Sequence, residues 1–514
     1  MTDSEAPAGR TDSTTGTGTA GYLRSTLKHG SIYGIGLILS RIISFLMIPV
    51  YTRVLSPADY GVLEVLSLTA DIVAMLAGMG IGTAVTRYYY FYDTYRDRNA
   101  VASSAALLVI GVFGSVALLG SIFAGPVARV LLGPDASVGL VRLALVNLAI
   151  GASLEIPLVM LRARQRSSTV VAAGLARLVI GLVLNVVLVV IFRFGVAGIL
   201  ISSIAASSIL SVTLLGQMFR ETGVRLDGAV VRRMIKFGAP LVVWNIGSFV
   251  LHFADRYFLR VYESLEAVGI YALSYKLAML VALFVSGPFH DIWTPKVLEI
   301  DRREGEGAPV ILEGILAHFN LLLVLAGLGI ALFAGDMIRL ATGPEFHSAA
   351  RPVPLLALGM VFFGYRGLTH PGALIRERSD LIARSTLVAA VAALGFNALL
   401  IPRWGVMGAA AATALAFGLE FMLMRFFVRR IYPLRIPLVR TLTPLVLATF
   451  VWLSADAATP TGAGIILSVM IRTVAYGTFL LLLVVPGTLP RAQRASLLAA
   501  ARDPLRALRA VRSG

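Results

Sequence analysis

The 514-residue chain contains no cysteine, so disulfides, thiol nucleophiles and thiolate metal sites are excluded. Charge is scarce as well: Asp, Glu, Lys and Arg make up 14% of the residues, against roughly 25% in an ordinary soluble domain. Lysine is nearly missing. Of 45 basic residues four are lysines (Lys28, Lys236, Lys276 and Lys296), and the rest are arginines, the better bidentate ligand for phosphate. The six histidines are scattered along the sequence, and no metal site is expected. No G-x-x-x-x-G-K-[ST] run occurs, which argues against ATP use by this chain.

What the chain has in abundance is apolar length. Hydrophobic residues make up 57%, mean hydropathy is +0.84, and the apolar residues fall in runs long enough to cross a bilayer. Backbone in hydrocarbon must satisfy its own hydrogen bonds, and barrel strands would show short alternating segments instead. The expectation is an all-α polytopic membrane protein with about 14 transmembrane helices. These are placed near 33–51, 60–84, 100–122, 140–161, 168–191, 195–216, 237–257, 268–290, 311–334, 352–371, 383–401, 405–427, 438–455 and 463–485. Residues 1–24 read as a flexible polar cytoplasmic tail with no apolar core, so no signal peptide is expected. Residues 488–514 read as a basic cytoplasmic tail.

Sorting the basic residues across those spans puts 31 on the side of the N-terminus, nine on the other and five inside spans. By the positive-inside rule both termini are cytoplasmic. The net charge of +17 then reflects membrane topology, and no nucleic-acid partner is expected.

Internal similarity comes next. Ala58-Asp59-Tyr60-Gly61-Val62 has a counterpart in Ala267-Val268-Gly269-Ile270-Tyr271, with Gly61 and Gly269 at an offset of 208. Leu132-Gly133-Pro134 resembles Thr342-Gly343-Pro344, at an offset of 210. Asn185 with Gly195-Val196-Ala197-Gly198 matches Asn397 with Gly405-Val406-Met407-Gly408, at offsets of 212 and 210. The repeat unit is six spans, an even number, so both copies enter the membrane in the same orientation. Two pseudo-symmetric six-helix lobes in a parallel repeat are expected, 25–217 and 218–430, around a central cleft. The last two helices, in 431–487, fall outside the repeat.

Several segments carry a resemblance. They are Ser40-Arg41, then Tyr51-Thr52-Arg53-Val54-Leu55-Ser56-Pro57-Ala58-Asp59-Tyr60-Gly61, Ala254-Asp255-Arg256-Tyr257, and Val268-Gly269-Ile270-Tyr271-Ala272-Leu273-Ser274-Tyr275-Lys276. Phe396-Asn397 through Ile401-Pro402 and Gly405-Val406-Met407-Gly408-Ala409-Ala410 complete them. In this order they resemble the polysaccharide-export family of the multidrug/oligosaccharidyl-lipid/polysaccharide exporters, in the branch of O-antigen and exopolysaccharide repeat-unit flippases. The resemblance implies a non-enzymatic flippase of the plasma membrane. Its cargo would be a polyprenyl-pyrophosphate-linked oligosaccharide moved from the inner to the outer leaflet for cell-surface polysaccharide synthesis. Its partners would be the lipid bilayer, that glycan, and polysaccharide polymerase or glycosyltransferase machinery. The alternative is a MATE-like ion-coupled exporter of another anionic or amphipathic small molecule, and the third reading is a non-transporting scaffold.

A charge at the bilayer centre costs at least about 2.5–3.5 kcal/mol, so it turns toward a cavity or a partner. Arg41, Arg177, Lys276 and Arg366 lie within spans and have the sign for a diphosphate; they are the candidate cargo-binding residues of the cleft. The bland reading of Arg41 is a structural ion pair, for example with Asp71, and that of Arg366 is snorkelling by one turn to the inner surface. Asp255-Arg256, at the end of span 7, with Arg53 after span 1, are gate candidates. Adjacent helix residues point about 100° apart, so Asp255 and Arg256 are not expected to pair directly. Arg87, Tyr88 and Tyr89 mark a cytoplasmic entrance, or simply the interfacial aromatic belt. No cofactor is expected. Coupling to H⁺ or Na⁺ would fall to Asp71, Glu155, Glu420 and His252, unless each neutralises an arginine instead.

Overall fold

In the computed structural model, residues 47–134, 136–434, 437–460 and 462–485 are described; they are helices joined by short turns, with no strand among them. After a first helical stretch at 47–54 come α1 (Pro57–Gly78), α2 (Ile81–Phe91), α3 (Tyr95–Ile122), α4 (Ala124–Leu132), α5 (Val138–Ser153) and α6 (Glu155–Ala163). Next are α7 (Ser167–Asn185), α8 (Gly195–Thr222), α9 (Gly228–Tyr262), α10 (Leu265–Val281), α11 (Gly287–Glu304) and α12 (Ala308–Ala341). The chain continues through α13 (Val353–Gly364), α14 (Arg366–Ile375), α15 (Ser379–Val428), α16 (Leu438–Ala458) and α17 (Ile465–Val484).

Among the described residues nine helices are long and apolar enough to cross a membrane. They become ten if Pro344–Ala350 and Val353–Ile375, which meet at 49°, form one more. The count among the described residues is thus lower than fourteen, in part because single continuous helices hold more than one of the expected spans. Leu265–Ala341 runs for 77 residues and Ser379–Val428 for 50, each covering two of the segments read from hydropathy. Fifty residues of straight helix would extend about 75 Å, more than twice a hydrocarbon core of about 30 Å. The first expected span, 33–51, lies mostly outside the described residues.

The 50-residue helix is not straight. Gly405 interrupts it at φ 52° and ψ −128°, in the region that favours glycine. Its repeat counterpart, Gly195, starts α8 at φ 54°. Asn185 and Asn397, the other matched pair, each present a buried side-chain carbonyl with no hydrogen-bond partner among the described residues. At these two pairs the matched residues share backbone conformation or side-chain environment, whereas Gly133 and Gly343 differ, at φ 113° and −67°.

By spatial proximity the chain divides into two units. Among the described residues, the first holds 47–50, Ala77–Ile122 and Arg142–Ala239; the second holds Tyr51–Leu76, Phe123–Val141 and all that follows from Pro240. In the first unit the start of α9 is tied to α3. The Arg225 amide donates to Ser103 Oγ at 2.7 Å, and the Asp227 amide to Ser104 Oγ at 2.8 Å. In the second unit, Arg472 on α17 donates to Asp336 on α12 at 2.9 Å. That pair satisfies a guanidinium that would otherwise face hydrocarbon.

The contact that positions the site lies in the second unit, between α1 and α10. Both helices open on a serine cap: the Asp59 amide donates to Ser56 Oγ at 3.2 Å, and the Ala267 amide to Ser264 Oγ at 3.1 Å. Asp59 returns the bond by accepting from the Ser56 amide at 3.2 Å, which makes it a capping residue. One turn later Gly61 and Gly269, 208 positions apart, meet backbone to backbone. A Cβ on Gly61 would overlap the Leu265 carbonyl and lie 3.1 Å from the Gly269 amide nitrogen. A Cβ on Gly269 would overlap the Pro57 carbonyl and lie 2.9 Å from the Gly61 nitrogen. Reciprocal contact between equivalent residues is what a two-fold relation produces.

Candidate functional site

The glycine contact brings the next turns of α1 and α10 alongside each other. On α1, Tyr60 and Glu64 are four residues apart and share a face; on α10, Tyr271 and Tyr275 do the same, with Lys276 following. The end of α9 supplies His252, Asp255 and Arg256, and α15 supplies Thr413. All of these belong to the second unit.

Arg256 is the most buried charged side chain of the group, at 1% exposure, and Asp255 is at 3%. Contrary to the sequence expectation, they pair directly. Arg256 Nη1 donates to Asp255 Oδ1 at 2.7 Å and to the His252 carbonyl at 2.8 Å. The angular argument neglected reach: the long arginine stem folds back toward the preceding turn and returns its head to the neighbouring carboxylate. The second Asp255 oxygen accepts from the Tyr271 hydroxyl at 2.5 Å and from Thr413 Oγ1 at 2.9 Å. The guanidinium carbon lies 4.0 Å from the Tyr275 ring centroid, 4.9 Å from that of Tyr271 and 5.3 Å from that of Phe253. Its Nε has no hydrogen-bond partner among the described residues and is 3.8 Å from Glu64 Oε1.

Lys276 is different in kind. Its side chain is 44% exposed, and its Nζ donates to the Tyr60 hydroxyl at 2.8 Å. The second Glu64 oxygen is 3.6 Å from the same Nζ. Glu64, at 15% exposure, therefore stands between a buried cation and an exposed one without a close bond to either.

A second centre lies on α14 and α15. Arg366 Nη2 donates to Glu420 Oε1 at 2.8 Å and Oε2 at 2.9 Å, and its Nε to Oε2 at 3.1 Å. Thr386 Oγ1 donates to Glu420 Oε1 at 2.7 Å. The Arg366 guanidinium also covers the Phe363 ring at 4.6 Å. Glu420 thus neutralises an arginine, the bland reading of that residue. Thr386→Val is expected to destabilise the protein by about 1.5–3 kcal/mol through loss of one neutral-to-charged hydrogen bond, read by thermal unfolding in detergent. His252 links the two centres: its Nδ1 is 3.1 Å from the Tyr275 hydroxyl, and its ring packs on Phe363 and Phe417 at 5.0 and 4.9 Å.

The other candidates are not brought to this cluster. Arg41 lies outside the described residues. Arg53 is exposed, and Asp71 is exposed two turns beyond Glu64 on α1. Arg177, on α7 of the first unit, is exposed and has no ion-pair partner among the described residues. Glu155 opens α6 and lies against Gly82. Arg87 covers the Phe237 ring at 4.5 Å, Tyr88 donates to the Arg233 carbonyl at 3.4 Å, and Tyr89 is buried under Arg98 at 5.4 Å. These three tie α2 to its neighbours within the first unit. Among the described residues no group of three His, Cys, Asp or Glu side chains forms a metal site.

Sequence reasoning overlooked Tyr60, Tyr271, Tyr275, Thr413 and Thr386 as members of these centres. The tyrosines had a signal, since each lies in a segment already singled out and 271 and 275 have helical spacing. The threonines had none.

Comparison with known proteins gives this architecture a family. A model of the polysaccharide biosynthesis protein family matches residues 26–299, more than half of the chain. The chain belongs to that family. A relative from Haloferax volcanii bearing the name "probable low-salt glycan biosynthesis flippase Agl15" is 23% identical over 192 residues, 37% of this chain and 41% of the relative. The uncharacterized membrane protein MJ1068 of Methanocaldococcus jannaschii is 19% identical over 214 residues, 41% of this chain and 42% of its own. This member of the polysaccharide biosynthesis family thus spans about two fifths of the length of the curated relatives it matches.

Solved structures extend the likeness. The lipid II flippase MurJ in an inward closed conformation matches with a TM-score of 0.67 at 11% identity, covering 88% of this chain and 98% of that one. An inward-facing multidrug resistance MATE transporter of the MOP superfamily matches at 0.59 and 15% identity, covering 76% and 94%. At such identities the likeness is one of fold, and this family member has the all-helical fold of those transporters.

Proposed function

We propose that the protein is a flippase that moves a polyprenyl-pyrophosphate-linked oligosaccharide from the inner to the outer leaflet of the plasma membrane. In this reading the halves 25–217 and 218–430 work by alternating access, both termini are cytoplasmic, and the cargo feeds cell-surface polysaccharide synthesis beside polymerase or glycosyltransferase machinery. The chain acts as a transporter, not an enzyme. The observation that carries the reading is the exposed Lys276 ammonium beside the buried Arg256 guanidinium, inside apolar helices. A cation left 44% exposed there, held by a tyrosine hydroxyl and a distant carboxylate, suits an anionic headgroup. Arg41, Arg177 and Arg366 are proposed as further cargo contacts, and Arg53, Asp255 and Arg256 as gate residues. The family and the flippase name of the Haloferax relative support the same cargo class.

The test is reconstitution in liposomes with a short fluorescent polyprenyl-pyrophosphate oligosaccharide, following its appearance at the opposite leaflet. Lys276→Ala is expected to slow flipping at least about tenfold at matched insertion, an effect near 1.4 kcal/mol. Arg41→Ala is compared in parallel. Absence of flipping by the wild-type protein under imposed H⁺ and Na⁺ gradients would sink the reading and favour a MATE-like exporter of another anionic solute.

A further inference from the structure

Four charges meet where α1, α9 and α10 come together, and they are not equivalent. Asp255 is fully committed: one oxygen serves Arg256 and the other accepts from Tyr271 and Thr413. Arg256 is anchored along one edge by Asp255 and the His252 carbonyl, while its buried Nε finds no hydrogen-bond acceptor among the described residues. Among the described residues Glu64 is the one carboxylate facing that open edge, yet it stands 3.8 Å from Nε and 3.6 Å from Lys276 Nζ, beyond hydrogen-bond range of both. A buried guanidinium N–H without an acceptor is costly, and a better-placed anion would relieve that cost. Lys276 forms the exposed wall of the same spot, its ammonium held by the buried Tyr60 hydroxyl.

We infer that Glu64 is a displaceable place-holder, a carboxylate occupying the position that a pyrophosphate-class anion takes between Lys276 and Arg256. The inference rests on the anionic-cargo reading above and gives it an exchange step. A phosphate group offers more acceptor oxygens than a carboxylate and matches the fork of a fixed guanidinium. When it enters, Glu64 is repelled by the new charge and its face of α1 loses both ion pairs. Without an anion, Glu64 returns and keeps the two cations neutralised. Arrival of cargo is thereby tied to release of α1 from α9 and α10 at this point. A plain structural role for Glu64 makes the opposite prediction, since removing it would then weaken anion binding along with the fold.

The probe is inorganic pyrophosphate, titrated onto the purified full-length protein in detergent. Amine and carboxyl groups of the wild-type protein are footprinted by acylation and carbodiimide coupling and read by mass spectrometry. Pyrophosphate is expected to lower labelling of Lys276 and raise labelling of Glu64, while Lys296, 54% exposed and paired with Glu299, stays unchanged. Glu64→Gln is expected to bind pyrophosphate about tenfold more tightly than wild type, because the internal competitor is gone. Unchanged or reduced labelling of Glu64, equal protection of Lys296, or a Glu64→Gln protein that binds no more tightly would each overturn the exchange. The footprint needs no variant, so a misfolded Glu64→Gln does not block the test. Flipping with no exchange at Glu64 sinks this inference alone; exchange without flipping of the lipid-linked oligosaccharide sinks the cargo reading alone.

Discussion

Asp255→Ala is expected to destabilise the protein by about 3–5 kcal/mol, the usual consequence of stripping the partner from a buried charge. The replacement leaves the Arg256 guanidinium at 1% exposure with the His252 carbonyl as its remaining anchor. It also removes the Tyr271 hydroxyl's carboxylate acceptor, leaving it Thr413 at 3.0 Å. Thermal unfolding in detergent checks the size of the effect. Changing both charges together, Asp255→Leu with Arg256→Met, should recover most of the lost stability, because no uncompensated ion then remains. A double variant as unstable as Asp255→Ala would mean that packing around the side chains, rather than charge, is what the single change damages.

Comparable damage is expected where there is no side chain at all. Gly61→Ala and Gly269→Ala each drive a methyl group into a backbone carbonyl of the facing helix, Leu265 in one case and Pro57 in the other. Backbone atoms inside two packed helices cannot swing aside as a side chain can, so α1 and α10 must separate. Overpacking of this sort costs typically about 1–3 kcal/mol, and more where both contact atoms are rigid. Gly111→Ala and Gly114→Ala on α3 are the controls: a Cβ there meets nothing within 4 Å. Both should be neutral or stabilising by up to about 1 kcal/mol, from better helix propensity. Equal unfolding temperatures for the two sets would show that the α1–α10 contact yields.

Much of the fold was legible because a bilayer imposes a simple rule on a sequence. Apolar length marked where helices run, and the paired spelling around Gly195 and Gly405 falls on two glycines that share a positive φ. Separate spans were harder to count. Ser379–Val428 leaves helical backbone at Gly405, so the drop in hydropathy at Pro402-Arg403-Trp404 falls beside a real break between two helical stretches. The candidate site was legible in its charges and not in its pairings. Lys276, Asp255, Arg256, Arg366 and Glu420 announce themselves as ions in apolar segments. That Glu64 faces residues about 200 positions away follows from two glycines meeting across helices, which no local pattern encodes. The direct Asp255–Arg256 pair was missed for another reason. Helical angles describe where a Cβ points, whereas an arginine head sits several bonds further out and can double back.

Arg256 also settles what kind of motion this part of the molecule can support. Three aromatic rings face its guanidinium, and two acceptors grip one edge. A charge held that way is a stator: it cannot follow a departing partner, and it cannot be tuned by small shifts in its own rotamer. Any ion pair it makes on its open side must be broken by moving the other member. On the exchange inferred above, electrostatic work at this point is done by anions moving past a stationary cation, and the Glu64 side chain is the member that moves.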